Sequence, residues 1–382
     1  MPSSPTVGAI TLERADHPTD LPADLMTLLA RVPDPRARRG RRYPLAGLLG
    51  VAISAVVAGA RSFAAIGEWV AALPADSLAA LGLDAAPEAS NLRKLFARID
   101  GAALDLQLAA YAWSRVRDIG GLRVIALDGK TVRGARTHTA PAPHLIAALD
   151  HATGVVLGQN AVATKSNEIP AVRDLLASFD PADLHGCVIT VDAMHTQIDT
   201  AKAITDAGAD YVFTVKGNQP KLFAALKNLP WTKIPCGSQS TEGGHGRRVT
   251  RTIKVVDAPA WIGYTGAAQV AQLRRTVTRA GKKSVEVVYL ITSATHRTAP
   301  PQRLATWVQG HWSVENRLHW VRDVTYAEDA SQVRTRNSPH VMASLRNTAI
   351  GILRLAGWGN IATALRHHAR DPERTVTWLL TC

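Results

Sequence analysis

The chain has 382 residues, with 44 lysines and arginines against 31 acidic residues, a formal net charge of +13. This length allows a large core and two or three domains. The positive charge favours a polyanionic partner, nucleic acid before a membrane surface. Three cysteines at positions 187, 236 and 382 have neither an even count nor metal-ligand spacing, so we expect a reduced protein of the cytoplasm.

The N-terminal third predicts a basic, all-helical domain over residues 25–118, after a loosely ordered segment 1–24 that lacks the pattern of a signal peptide. Residues 45–60 are uncharged but shorter than the roughly 20 residues that span a membrane. We therefore expect a buried core helix there. The preceding basic loop, residues 31–42, suits either phosphate contacts or a solvated linker. The region is interpreted as a DNA-binding domain.

The sequence LRVIALDGKTVR at residues 122–133 predicts a buried strand that ends in a carboxylate. Burying Asp128 is costly unless a cation or a metal compensates its charge. Gly129 would let a ligand or another segment of backbone come close, and Lys130 adds a positive group. The alternative is an aspartate that only starts a turn.

A second strand repeats this design. Apolar residues at 188–191 lead to Asp192. Two buried strands that each end in an aspartate provide the oxygen ligands that Mg²⁺ requires. Between them, a turn at residues 150–154 predicts a hairpin and residues 168–179 predict a helix. Residues 119–229 are therefore predicted to form a mixed sheet with helices packed on it, the first part of a catalytic core.

Residues 230–298 predict a β-rich insertion, with glycine-rich loops and alternating strands at 249–256, 270–277 and 285–292. Residues 299–382 return to helix and complete the core. His311, Glu315, His319 and Arg322 would lie near one face of an α-helix. A surface ion pair between Glu315 and Arg322 is the plainer alternative.

The motifs together resemble the ISAs1-type insertion-sequence transposases, relatives of the IS4-like DDE group that include H-repeat-associated proteins. The resemblance covers residues 33–355. It rests on these segments: IALDGK, KSNEIP, VDAMHTQ, VKGNQ, HGR at 245–247, and HWSVENRLHWVRDVTYAEDASQVR. Two positions depart from the family pattern, Gln309 and Val249.

The resemblance implies an α/β, RNase H-like catalytic core with Asp128, Asp192 and Glu315 as an acidic triad that binds Mg²⁺, or Mn²⁺ in its place. We expect the two aspartates on neighbouring strands, with the carboxylates within roughly 8 Å of each other. The partners would be double-stranded DNA, at transposon ends and target, and further copies of the chain on that DNA, with no membrane. The protein would act at the nucleoid. The predicted DNA contacts are Lys130, Arg133, Lys216, Asn218, His245, Arg247, His311 and Arg322.

Two other functions remain open at this point: a catalytically silent DNA-binding relative, and a metal-dependent nuclease without strand transfer. Other acids could also contact the metal. Glu168 lies in the first turn of a predicted helix, where an acid ordinarily caps the helix or interacts with its dipole. Glu328 and Asp329 lie beyond the preceding helix and could cap the next element.

Overall fold

The computed structural model describes residues 24–162, 168–244 and 246–381. The segment predicted to be loosely ordered, residues 1–24, lies outside these ranges except for Asp24. The predicted DNA contact His245 and the first half of the KSNEIP motif also lie outside them.

The described chain begins with helices that precede the sheet. Their bounds are α1 (Leu25–Leu29), α2 (Leu45–Val57), α3 (Phe63–Ala71), α4 (Ala75–Ala80), α5 (Ala89–Phe96) and α6 (Gly101–Val116). Asp24, Ser62 and Asp100 cap α1, α3 and α6 by accepting backbone N–H groups. Except for Ala46, every residue of α2 is buried, as expected for a core helix. Within the described ranges, no helix is long and apolar enough to cross a membrane.

The first half of the sheet contains β1 (Val124–Thr131), β2 (His144–Asp150), β3 (Val156–Val162), β4 (Val188–Val191) and β5 (Asp210–Val215), in the spatial order β3-β2-β1-β4-β5. Strands β1, β4 and β5 are parallel, and β2 is antiparallel to both β1 and β3. The predicted hairpin is the β2–β3 connection. This order and these directions confirm the expected RNase H-like mixed sheet.

Short helices connect these strands and cover the sheet: α7 (Glu168–Ala177), α8 (Pro181–Leu184), α9 (Ile198–Asp206) and α10 (Pro220–Lys227). Leu175 and Leu176 of α7, with Ile204 of α9, pack in one hydrophobic cluster with Ile125 and Ile189 of the sheet. Helix packing on this face holds β1 and β4 in place, and these two strands position Asp128 and Asp192.

The insertion continues the sheet. Its strands are β6 (Ser238–Gly244), β7 (Arg247–Asp257), β8 (Gln269–Arg279) and β9 (Lys282–Thr292), and β9 pairs antiparallel with β5. The described sheet therefore has nine strands. The prediction of loop before β7 was wrong, because β6 pairs with β7 as an exposed edge strand. Lacking a buried apolar face, β6 leaves no alternating pattern in the sequence.

The segment after α11 (Pro301–His311) is not the continuous α-helix that the sequence predicts. Two π-helical turns follow, Glu315–His319 and Val321–Thr325. Each wider turn shifts the helical register, so side chains beyond it leave the face predicted from α-helical spacing. The chain then forms α12 (Ser338–Leu355), α13 (Ile361–His368) and α14 (Pro372–Thr381).

One hydrophobic cluster joins α2 and α12 with Val314, Leu318 and Val321. The N-terminal helices therefore pack against the inner face of the segment that carries Glu315. Because this contact is part of the main core, the N-terminal helices support the position of that segment.

Candidate active site

Asp128 lies within β1, which continues to Thr131, so the prediction that the strand ends at this carboxylate was wrong: pairing with β2 extends the strand. The Asp128 side chain is 24% exposed, and its Oδ1 accepts a hydrogen bond from the backbone N–H of Gly129 at 2.8 Å. A Cβ atom at Gly129 would collide with the Glu168 carboxylate and the His144 ring. Glycine at this position therefore allows a buried carboxylate to pack directly beneath Asp128.

Asp192 follows the last residue of β4. Leu127 of β1 pairs with Val191 of the parallel strand β4, so Asp128 and Asp192 occupy adjacent positions one residue further on. The Asp192 side chain is 62% exposed, and its Oδ1 lies 3.4 Å from Nε2 of His311 at the end of α11. The bond to His311 lowers the pKa of Asp192. These two aspartates are therefore side by side, as predicted.

The third acid, Glu315, is linked to Asp128 by a histidine that contacts both side chains. Nδ1 of the buried His319 lies 3.2 Å from Glu315 Oε2 and 3.5 Å from Asp128 Oδ2. Burial lowers the pKa of His319 to about 3, so its ring is neutral at physiological pH. The π-helical turn Glu315–His319 brings both side chains to Asp128. The structure therefore brings all three predicted acids together.

The charge at this edge is strongly negative for a half-buried location. Burial, and then the charge of Asp192, raise the pKa of Asp128 to about 6, and Glu168 adds to the effect. No arginine or lysine forms an ion pair with any of the three acids in the described residues. Ionised Asp128 is thus under-compensated, and a cation beside it would be favourable.

The donor set fits a hard divalent cation, which prefers carboxylate oxygens. In this conformation, however, no group of three or more acidic, histidine or cysteine side chains in the described ranges surrounds a single point closely enough to hold an ion. His311 and His319 lie against the oxygens that a cation would use. Metal binding would therefore compete with these two histidines and turn Glu315, which is 67% exposed, toward Asp128.

The remaining predicted DNA contacts differ in their surroundings. Lys130 is 9% exposed and binds Asp323 at 2.6 Å, so its charge is already paired. Arg133 is 78% exposed, with its guanidinium 3.7 Å from the carboxylate of Asp329. Lys216 and Arg247 line a cleft of about 330 Å³ beside Asp192 and His311. The Asn218 amide donates to the Ala193 carbonyl at 2.6 Å and thus holds the loop after Asp192.

The prediction that Arg322 contacts DNA requires correction. Its guanidinium is 1% exposed and binds the fully buried Glu328 at 2.8 Å. Arg346 of α12 binds the other oxygen of Glu328 at 2.9 Å. The π-helical register turns Arg322 into the protein interior, where it joins a buried ion cluster. Glu328 is likewise inaccessible to a metal at the cleft.

A cluster of Glu168, His144 and His195 lies under the aspartates and was not predicted. The Glu168 carboxylate lies 3.1 Å from His144 Nε2 and 3.5 Å from His195 Nε2. Burial alone would raise the pKa of Glu168, but the two histidines outweigh it and lower the pKa to about 2. The three residues come from three separate elements, so no spacing in the sequence signals their contact.

Comparison with known protein families identifies the class of this chain as that of the DDE transposases. Residues 119–352 match the family model described as "Transposase DDE domain", and residues 26–112 match the one described as "DDE_Tnp_1-associated". The chain therefore belongs to the Transposase DDE domain family.

Several bacterial relatives are similar over much of the chain. It is 29% identical to "Putative transposase YncI" of Escherichia coli O157:H7, over 86% of this chain and 87% of the relative. It is 31% identical to "Putative protein YbfL" of Escherichia coli K12, over 86% and 90%. The "H repeat-associated putative transposase YhhI" of the same strain is 34% identical, over 60% and 64%. The expected likeness to H-repeat-associated proteins is confirmed.

A solved structure also matches, titled "Cryo-EM structure of piggyBac transposase synaptic complex with hairpin DNA". The match has a TM-score of 0.43 and 12% identity, over 93% of this chain and 78% of that one. This likeness is too distant to add to the assignment.

Proposed function

We propose that this protein is the transposase of an ISAs1-type insertion sequence, which cuts phosphodiester bonds at the transposon ends and joins them to target DNA. The observation that carries the proposal is the meeting of three carboxylates at one sheet edge. Asp128 of β1 lies beside Asp192, which follows the end of the parallel strand β4, and His319 lies between Glu315 and Asp128.

Asp128, Asp192 and Glu315 would hold Mg²⁺, or Mn²⁺ in its place. When bound, such ions supply an activated water or 3′-hydroxyl and stabilise the leaving oxygen. The chain's own residues prepare this site. His311 lies against Asp192, His319 lies between Glu315 and Asp128 until a metal displaces it, and Gly129 allows the carboxylate of Glu168 to pack beneath.

The cations around the cleft would hold the DNA backbone along its length. Lys216 and Arg247 line the cleft, and Arg133 is largely exposed. We place phosphate contacts on these three residues. Lys130, which pairs with Asp323, and Asn218, which holds the loop after Asp192, are better assigned to positioning the site.

The N-terminal helices would bind the transposon ends. Arg38, Arg39 and Lys94 are exposed, and Arg42, Lys94 and Arg98 line a second concave surface next to the basic loop. Because α2 shares its core with α12, point substitutions test this role better than a deletion. Arg38→Gln with Arg39→Gln should reduce the salt dependence of end-DNA binding. Assembly of several copies on paired ends at the nucleoid would follow from this function.

The decisive experiment measures Mg²⁺-dependent nicking and strand transfer with DNA from the ends of the element. Asp128→Asn, Asp192→Asn and Glu315→Gln should each abolish both reactions and leave metal-free DNA binding intact. Asp206→Asn, an exposed acid paired with Lys202, serves as the matched control and should remain active. Full nicking by any of the three variants would overturn the proposed site. Nicking without strand transfer by the wild type would identify a nuclease instead.

A further inference from the structure

The insertion strands carry their positive charges in rows that cross the sheet. In the register of β7, β8 and β9, Arg247 pairs with Arg279, and Arg279 pairs with Lys282. All three side chains are exposed at the tip of the strands. Like charges directly opposite each other destabilise a sheet. This row, which we call the tip row, has no salt-bridge partner among the described residues.

A second row on the same face differs in its compensation. Arg251 pairs in register with Arg275, and Arg275 with Glu286. Here Arg251 lies 3.0 Å from Glu242, and Arg275 lies 3.6 Å from Glu286. The charges of this inner row are therefore balanced inside the protein. The tip row differs in having no carboxylate within salt-bridge distance in the described part of the chain, because Glu242, whose pKa Arg247 helps to lower, is bound to Arg251.

The side-chain alternation of the strands assigns the tip row to the catalytic face. Along β7, Arg247, Arg251 and Ile253 share one face because they are separated by even numbers of residues. Ile253 packs in a cluster with Leu304 and Val308 of α11, the helix that ends at His311. Arg247 and Arg251 also line the cleft that contains Asp192. The tip row thus faces the same side of the sheet as the cleft.

The distance from the site follows from the register. Thr214 of β5 pairs with Leu290 of β9, and β5 neighbours β4, whose end carries Asp192. From Leu290 to Lys282 the strand advances about 26 Å at ~3.3 Å per residue. For a duplex that lies parallel to these strands, this span corresponds, at ~3.4 Å per base pair, to roughly six to eight base pairs.

We infer that the tip row, Arg247, Arg279 and Lys282, is a clamp for duplex DNA phosphates six to eight base pairs from the scissile bond. The inference rests on the proposed function for its ligand. A DNA backbone supplies the negative charge that the tip row lacks, whereas the arginines of the inner row already have carboxylate partners.

The same strands provide a matched control. Arg248, Arg274 and Lys283 occupy the intervening register positions and therefore face the opposite side of the sheet. The triple variants R247Q/R279Q/K282Q and R248Q/R274Q/K283Q each remove three positive charges from β7, β8 and β9. Only the first removes them from the cleft side.

The experiment compares binding of metal-free protein to end DNA over a range of salt concentrations, with phosphate-ethylation interference on the same duplex. The tip-row variant should lower the salt slope by about two to three and lose interference six to eight base pairs from the cleavage site. The control variant should keep both. Without DNA at low salt, the tip-row variant should melt at or above the wild-type temperature, because a repulsive row is removed.

Equal losses in the two variants, or an unchanged salt slope in the tip-row variant, would overturn the inference. Wild-type protein that shows this interference but never cleaves DNA would contradict the proposed function and leave the clamp intact. A tip-row variant that cleaves end DNA and also binds it with the wild-type salt slope would overturn the clamp and leave the proposed function intact.

Discussion

The segment that follows α11 contributes to two groups of carboxylates with opposite surroundings. At the cleft, Asp192 and Glu315 are exposed and, with Asp128, lie against histidines. Behind the segment, Glu328 is fully buried and both of its oxygens are bound by arginines, Arg322 and Arg346. The desolvation of Glu328 is outweighed by these two guanidinium groups, which lower its pKa.

This difference separates a structural role from a chemical one. A buried carboxylate with two arginines has its charge fully compensated and gains nothing from a further cation. The cleft acids have a neutral histidine, His319, between two of them, and the pKa of Asp128 is raised. Removing a charge should therefore destabilise the protein at Glu328 and stabilise it at Asp128 when metal is absent.

The largest effect is expected at the buried cluster. Glu328→Gln leaves Arg322 and Arg346 without a counter-charge and should lower the free energy of unfolding by about 3–5 kcal/mol. Urea denaturation at neutral pH measures this loss. Glu286→Gln, which breaks an exposed pair with Arg275, is the control and should change stability by about 1 kcal/mol or less. Similar small changes in both variants would show that the buried cluster does not stabilise the fold.

A somewhat smaller effect, with a pH signature, is expected at Glu168. Since the histidines lower its pKa to about 2, its ionised form adds stability that is complete above the unfolded pKa. That contribution is lost as the pH falls from about 4.5 through 2. Glu168→Gln should therefore cost about 2–3 kcal/mol at neutral pH, and the cost should shrink on acidification. A difference from wild type that does not vary with pH would contradict this account.

The opposite sign is expected at Asp128. Its pKa is raised to about 6, so ionisation in the folded state costs free energy, and the cost develops as the pH rises from about 4 to 6. With EDTA present, Asp128→Asn should be more stable than wild type above pH 6, by about 1–2 kcal/mol. Differential scanning calorimetry tests this. Added Mg²⁺ should raise the melting temperature of the wild type only, and a less stable variant in EDTA would refute the charge argument.

The smallest effect on stability is expected at Glu315. Its side chain is 67% exposed and its described contact is His319, so Glu315→Gln should change the free energy of unfolding by about 0.5 kcal/mol or less. The same variant is expected to lose DNA nicking entirely. Thermal melting and nicking measured on one preparation separate the two properties, and a marked drop in melting temperature would place Glu315 among the structural acids.

The sequence predicts the strands and the two aspartates well because both depend on local patterns. Short apolar runs followed by Asp128 and Asp192 indicate buried strands, and parallel pairing of these runs then brings the two aspartates to adjacent positions. The register, in which Leu127 lies opposite Val191, depends on how the strands pack, and the apolar pattern of the sequence does not specify it.

Residues whose roles depend on contacts between distant elements were harder to predict. Arg322 has the spacing of a cleft residue only on a regular α-helix, and the π-helical turns direct it to Glu328. Glu168 has the position of a helix cap but is buried between His144 and His195. Edge strand β6 has no buried face to give it a pattern. Each of these outcomes is decided by packing partners that lie far away in the sequence.

Locating the metal tests the central claim most directly. Crystals grown with Mn²⁺ and DNA from the ends of the element should show anomalous density between Asp128 and Asp192, with oxygens about 2.2 Å from the ion, in the range typical of divalent cations. Glu315 should turn away from His319 to join them, and the Asp128→Asn crystals should show much weaker density. Anomalous density elsewhere, or none at this edge while the protein still cleaves DNA, would contradict the assignment of these three acids.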